Sequence, residues 1–133
     1  MGLDAALLER LQQAMPDDPE LTVVGKFFDC SFLLGTGNHR FLIRVRDGQV
    51  VQLLVDPPIV EPWQFAIKAP DETWDHFLED PPPFPFNDIW AATWLGHMML
   101  EGDMKVFMQH YRALWRTLKL LRELAARPQA AVA

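Results

Sequence analysis

Cysteine is nearly absent from this 133-residue chain: Cys30 stands alone, so no internal disulfide can form and a zinc site built on several thiolates is excluded. That usage fits a reducing compartment, and a cytoplasmic protein is expected. Long hydrophobic runs are also missing. Half of the residues are hydrophobic, yet no uncharged apolar stretch approaches the roughly 18 to 20 residues that span a bilayer, so no stable membrane insertion is expected. The N-terminus lacks a basic segment followed by an apolar run, so an unprocessed chain is expected. Basic residues are scarce through most of the length. The first 103 residues hold six Lys or Arg against seventeen Asp or Glu, whereas residues 104–133 hold six against one, which together give the net charge of −6. An acidic chain with one short basic stretch does not suit nucleic acid.

Catalytic and metal-binding patterns are thin as well. His39, His76, His97 and His110 form no H-x-x-x-H or H-E-x-x-H pair. Cys30 has Asp29 beside it, which disfavours a thiolate. Gly35-Thr36-Gly37 has neither the helix nor the lysine of a phosphate loop. The sequence therefore assigns no catalytic residue, no metal and no cofactor.

What is present is an alternation of helix, sheet and helix with no linker long enough to divide it. Residues 1–126 read as one domain and 127–133 as a flexible Ala-rich tail. Leu3, Leu7, Leu8, Leu11 and Met15 recur at helical spacing, giving a helix over 4–15 that ends at Pro16. Residues 21–35, rich in Val and Phe, read as a first strand. Residues 39–46 alternate Phe41, Ile43 and Val45 with arginines, Asp47-Gly48 is a two-residue hairpin signal, and 49–55 return antiparallel. Trp63, Phe65 and Ile67 alternate as a fourth strand. A short helix follows Pro70 through Trp74, Phe77 and Leu78, and the prolines of Pro81-Pro82-Pro83-Phe84-Pro85-Phe86 cannot continue it. Asn87 or Asp88 then caps a helix carrying Trp90 and Trp94.

The segment Gly96-His97-Met98-Met99-Leu100-Glu101-Gly102-Asp103 reads as a strand turning sharply into a long amphipathic helix that carries Met104, Phe107, Met108, Tyr111, Leu114, Trp115 and Leu118. Lys105, Arg112, Arg116, Lys119 and Arg122 fall on its polar side. That side reads first as a solvated face, and otherwise as a dock for an acidic lipid headgroup, an acyl-CoA phosphate or the acidic body of a second subunit.

With Asp47-Gly48 as hairpin turn, Phe65-Ala66-Ile67 as the strand before a short helix and Gly96 to Asp103 as closing strand and turn, residues 27–124 resemble the sterol carrier protein type 2 (sterol-binding) family. The resemblance implies an α+β fold, in which a mainly antiparallel five-stranded sheet has helices packed on one face around an apolar cavity. It also implies a non-catalytic carrier or binding module for a hydrophobic small molecule, such as a fatty acyl chain, an acyl-CoA, an isoprenoid or a steroid-like ring system.

Large soft side chains suit such a cavity, because methionine adapts its shape and tryptophan gives wide contact area. The candidate ligand-binding residues are Phe77, Trp90, Trp94, Met98, Leu100, Met104, Phe107, Met108, Tyr111 and Trp115, with Trp74 beside them. The plainer alternative is that they only pack a core. Phe84 and Phe86 on the stiff proline segment are the candidate lid, or else a subunit contact. A second function class stays open. In it the chain is a small enzyme or an accessory subunit, as a homodimer or with a partner enzyme, using polar groups such as His97, Glu101, Tyr111 or Arg44 on an apolar substrate.

Overall fold

The computed structural model describes residues 2–127, so the expected tail beyond Arg127 lies outside the described residues. Helix α1 (Ala5–Ala14) starts where the Asp4 carboxylate accepts the Leu7 N–H at 2.8 Å, and buries Leu7, Leu8 and Leu11. A 3-10 turn over Met15–Asp17 leads into α2 (Pro19–Val24). The expected strand over 21–35 is thereby corrected, since its first part is helical and β1 is Cys30–Gly35. Pro19 occupies the first turn, where no N–H is needed, and Asp18 accepts the Leu21 N–H at 3.0 Å. These start signals outweigh the strand preference of Val23 and Val24.

Strands β2 (Arg40–Arg46) and β3 (Gln49–Val55) complete the meander with β1. Their turn has positive φ at both Asp47 (51°) and Gly48 (76°), the backbone an Asp-Gly hairpin uses to match strand twist. The chain then crosses the sheet through 56–64 and enters β4 (Phe65–Lys68), which pairs with β1 in parallel, while β5 (Met99–Gly102) pairs antiparallel with β4. The strand order is β3-β2-β1-β4-β5, mostly antiparallel as expected, with one parallel pair. The crossover sets that direction. Arg44 donates to Glu61 at 2.8 Å, Arg40 to Pro57 O at 3.1 Å, and Gln64 N–H to Ser31 O at 2.9 Å, pinning the segment across the outer face.

Period-2 alternation divides the sheet's two faces. Phe32, Leu34, Phe41, Ile43, Phe65 and Ile67 belong to one buried cluster together with the helices. Leu33, Leu42 and Ala66 form a smaller cluster on the other face, covered by Leu54 and Trp63. Helix α3 (Asp71–Phe77) anchors Trp74, whose indole N–H donates to Gly35 O at 2.8 Å.

The expected long final helix is two: α5 (Met104–Gln109) and α6 (Tyr111–Ala126), with α4 (Ile89–Trp94) packed beside them. The break lies at His110, whose backbone leaves the helical region (φ −108°, ψ 9°) while its ring Nδ1 donates to Val106 O at 2.9 Å. The turn before α5 depends on Gly102, with φ at 97° and a Cβ position only 2.6 Å from Gln64 O. Gly102→Ala is expected to lose about 1–3 kcal/mol, read as a lower urea midpoint with unchanged slope.

Candidate apolar ligand site

The site grows from Asp103. Its carboxylate accepts the Lys105 and Val106 N–H groups, both at 3.1 Å, and its own N–H donates to Gln64 O at 2.7 Å, which fixes α5 against the sheet. Phe107 is thereby driven onto the inner face, edge-on to Phe65 at 5.3 Å, and Phe65 stacks on Phe32 at the same spacing. Trp90 meets Phe107 edge-on at 5.5 Å and Tyr111 at 6.0 Å, and Phe107 to Tyr111 is 5.6 Å. Such edge-on pairs suit the ring quadrupole, so one aromatic array joins α4, α5, α6 and the sheet.

Polar groups are few at this array. The Tyr111 hydroxyl donates to Asp88 at 2.8 Å. Burial, and then that carboxylate, hold the Tyr111 phenol well above the ordinary tyrosine range, so it stays neutral. Beside it an open cleft of about 520 Å³ is lined by Glu20, Asp88, Tyr111, Arg112 and Trp115. A separate narrow cavity of about 10 Å³ shares Asp88 and Trp115 with it and is also lined by Phe77, Leu118, Lys119 and Arg122. That is room for one water at most.

The expected site residues are distributed unevenly. Trp90, Phe107 and Tyr111 are in mutual contact, and Phe77, Tyr111 and Trp115 line the two spaces just described. Met98 is buried in the main core and Leu100 packs half-buried against it, opposite Ile67. Met104 and Met108 lie on the outer side of α5, and Trp94, at the last turn of α4, is 83% exposed. Phe84 is 75% exposed, whereas Phe86 is half-buried between the rings of His76 (5.0 Å) and His97 (4.9 Å).

Sequence reasoning misread the setting of two residues. Arg116 and Arg122, expected on a solvated face, are both buried. Arg116 pairs with Asp18 at 2.5 Å and with Glu123 at 3.2 Å; Arg122 donates to Phe77 O and Phe86 O. The one local hint was that leucines flank them on nearly every side of α6, leaving little of that helix free for water.

The reactive side chains stay apart. His39 bonds Asp56 at 2.8 Å and His76 bonds Glu79 at 2.7 Å, both at the surface. Burial, with Asp29 adding to it, pushes the Cys30 thiol up to about 12, so it is inert at neutral pH. Among the described residues no group of three or more His, Cys, Asp or Glu lies close enough together to hold a metal ion.

Comparison with known proteins places the fold. No family model matches, and no curated protein matches. Solved structures do. Sterol carrier protein 2 superposes with a TM-score of 0.71 at 16% identity, covering 89% of this chain and 95% of that one. A Thermus thermophilus protein described as possibly a sterol carrier protein gives 0.72 at 15% identity over 96% and 92%. The ubiquinone synthesis protein UbiJ-SCP2 gives 0.58 at 11% identity over 88% and 93%. The chain has the sterol carrier protein 2 fold.

Proposed function

We propose, from that fold as premise, that this protein is a non-catalytic carrier or presenter of a hydrophobic small molecule, held against the aromatic side chains of α4–α6. The supporting observation is the aromatic array of Trp90, Phe107 and Tyr111 lying next to an open cleft lined by Tyr111 and Trp115 together with Glu20, Asp88 and Arg112. An apolar ligand gains there the burial that a flat aromatic surface offers, about 25 cal/mol per Å² removed from water. No covalent chemistry is required, and no cofactor enters the reading. A lone buried Cys30 supports a cytoplasmic setting, and among the described residues no helix is long and apolar enough to cross a membrane.

A fluorescent fatty acid is expected to bind with about micromolar or better affinity, the range of small-molecule sites of this kind, and to quench tryptophan emission. Native mass spectrometry of the purified protein is expected to detect a co-purifying lipid. No binding and no quenching across acyl, isoprenoid and steroid-like probes would remove the carrier reading.

The proline segment fits a lid in this scheme. Phe86 is clamped by two histidine rings while Phe84 projects outward, and the prolines keep the loop in few conformations. The double variant Phe84→Ser/Phe86→Ser is expected to keep its fold and oligomeric state while releasing the probe faster. Unchanged release from a folded variant would leave the lid idea without support, and a smaller species on sizing would assign the two rings to a homodimer or partner-enzyme contact.

A second reading has one observation in its favour. A structural neighbour is a ubiquinone synthesis protein, so this chain could serve as an accessory subunit that presents an apolar substrate to an enzyme. Co-purification of a catalytic partner whose activity rises on adding this chain would favour it.

A further inference from the structure

β5 is an outer strand of the sheet, and its backbone is only half used. Along a strand the N–H and C=O of one residue point to one neighbour and those of the next residue to the other. The Ala69 N–H donates to Gly35 O at 3.0 Å, so the odd-numbered residues of β4 face β1, and Ala66 and Lys68 face β5. Through the observed register, Met99 and Glu101 are the residues of β5 that bond to β4, and the Asp103 N–H, donated to Gln64 O at 2.7 Å, continues the same alternation. Leu100 and Gly102 therefore turn their N–H and C=O to the free edge, where among the described residues no donor or acceptor meets them.

The opposite edge is guarded. On β3 a bulge interrupts the pairing at Arg44 and Val45, and Gln12 of α1 donates to Val50 O at 3.1 Å. β5 has neither device, nor a proline or lysine. The chain also reaches it from the apolar, exposed end of α4, with Leu95 and Met99 each 57% exposed and Trp94 more so.

An edge that presents donors and acceptors at every second residue is complementary to itself about a two-fold axis. Two antiparallel registers give four bonds across that axis. One sets Glu101 directly against Glu101 of the second copy, a destabilising like-charge pair. The other sets Leu100 against Leu100, which exchange two bonds, and brings each Gly102 N–H to Met98 O of the other copy. The Met98 N–H is not needed there, since Ala92 O takes it at 3.3 Å. In this register Glu101 falls opposite Met99, whose neighbour on β4 is Lys68, the residue that pairs with Glu101 at 2.9 Å within one chain. Charge thus selects between two registers that the backbone alone leaves equal.

We propose that the chain forms a two-fold dimer through β5, in the register that pairs Leu100 with Leu100, so that two five-stranded sheets become one continuous sheet. Residues opposite each other in an antiparallel pair share a face, so the helix layers of both copies lie on the same side, and with them the two clefts at Tyr111 and Trp115. The contact is independent of what the cleft binds.

Sedimentation equilibrium of the full chain over the micromolar to millimolar range is expected to show a reversible dimer. Met99→Glu, which sets a carboxylate opposite Glu101, should raise the dissociation constant at least about tenfold, the effect of a like-charge contact at an interface. Met99→Lys, opposite the same carboxylate, should leave it unchanged or lower it. Both changes fall on an exposed side chain, so circular dichroism and the urea midpoint should hold. The Leu100 amide should exchange its hydrogen more slowly as concentration rises, because only a second copy gives it an acceptor. If Met99→Glu alters the fold, that amide in the unaltered chain carries the test. A monomer at every concentration would overturn the proposal. So would a dimer that responds alike to Met99→Glu and Met99→Lys, or one in which the Leu100 amide stays unprotected, because either assigns the contact to another surface or register.

Discussion

Phe107→Ala is expected to lower the stability of the protein by about 3–5 kcal/mol, the usual loss when a phenylalanine is cut from a packed core. Phe107 has no exposed surface and touches Phe65, Trp90 and Tyr111, so three rings from the sheet, α4 and α6 lose their common neighbour at once. Part of the loss is transfer of the ring to water, and the rest is the cavity left behind, because α5 is held by Asp103 and cannot collapse inward freely. Urea unfolding should show a lower midpoint with little change in slope. Phe107→Leu should lose clearly less, since it keeps most of the volume. A loss below about 1 kcal/mol for the alanine variant would mean that α5 is not packed on the sheet as described. If the carrier reading holds, the folded alanine variant should also bind a larger apolar probe than the unaltered protein, which separates a ligand-facing ring from a purely structural one.

The parts of this fold that sequence makes legible are those fixed by neighbours in the chain. The β2–β3 hairpin is one, because the arginine–apolar alternation of 40–46 and the Asp47-Gly48 turn act within a few residues of each other. The Gly102-Asp103 start of α5 is another. The start of α2 is encoded just as locally, in Asp18-Pro19-Glu20, but the Val and Phe residues after it carry a competing strand preference. Packing far along the chain reinforces those local start signals, since Leu21 is buried in the main core and Asp18 meets Arg116.

Direction and burial are harder to read than element type. Nothing in Phe65-Ala66-Ile67 tells whether the strand lies parallel or antiparallel to its neighbour; the Arg44–Glu61 pair and the Gln64–Ser31 bond decide it. Trp90 and Trp94 stand four apart on one helix, and helical spacing treats them alike. The chain leaves α4 at Trp94, however, when the N–H groups of His97 and Met98 both turn back to Ala92 O. That last turn overhangs the core, so Trp90 reaches Phe107 while Trp94 meets water. Arg122 follows the same logic, because its acceptors Phe77 O and Phe86 O are brought to it by α3 and the proline segment rather than by its own helix.

The ion pair of Asp18 and Arg116 is expected to carry the second large effect, and it makes stability depend on pH. Asp18 and Arg116 are both buried, and the guanidinium reaches the carboxylate through Nη2 at 2.5 Å and Nε at 3.0 Å. Removing one partner leaves the other charged and out of water, which typically destabilises by about 3–5 kcal/mol. Arg116→Leu should therefore lose about that much, lessened to the degree that Asp18 can protonate. Asp18→Asn keeps an oxygen for the Leu21 N–H and so removes the charge without the helix cap, whereas Asp18→Ala removes both and should lose about 1 kcal/mol more. The Arg116 hydrogen bond, followed by the Leu21 N–H, holds the Asp18 carboxyl below its ordinary value. A carboxylate depressed in the folded state stabilises fully above its unfolded pKa, near 3.9, and that stabilisation drains away as pH falls through the lower folded value. The unaltered protein should thus be insensitive to pH near neutrality, as far as this group is concerned, and lose stability below about pH 4. Urea midpoints measured from pH 7 down to pH 3 would check this: the acid-side slope should be shallower in Asp18→Asn, and an identical slope in both proteins would mean that the pair does not link folding to protons.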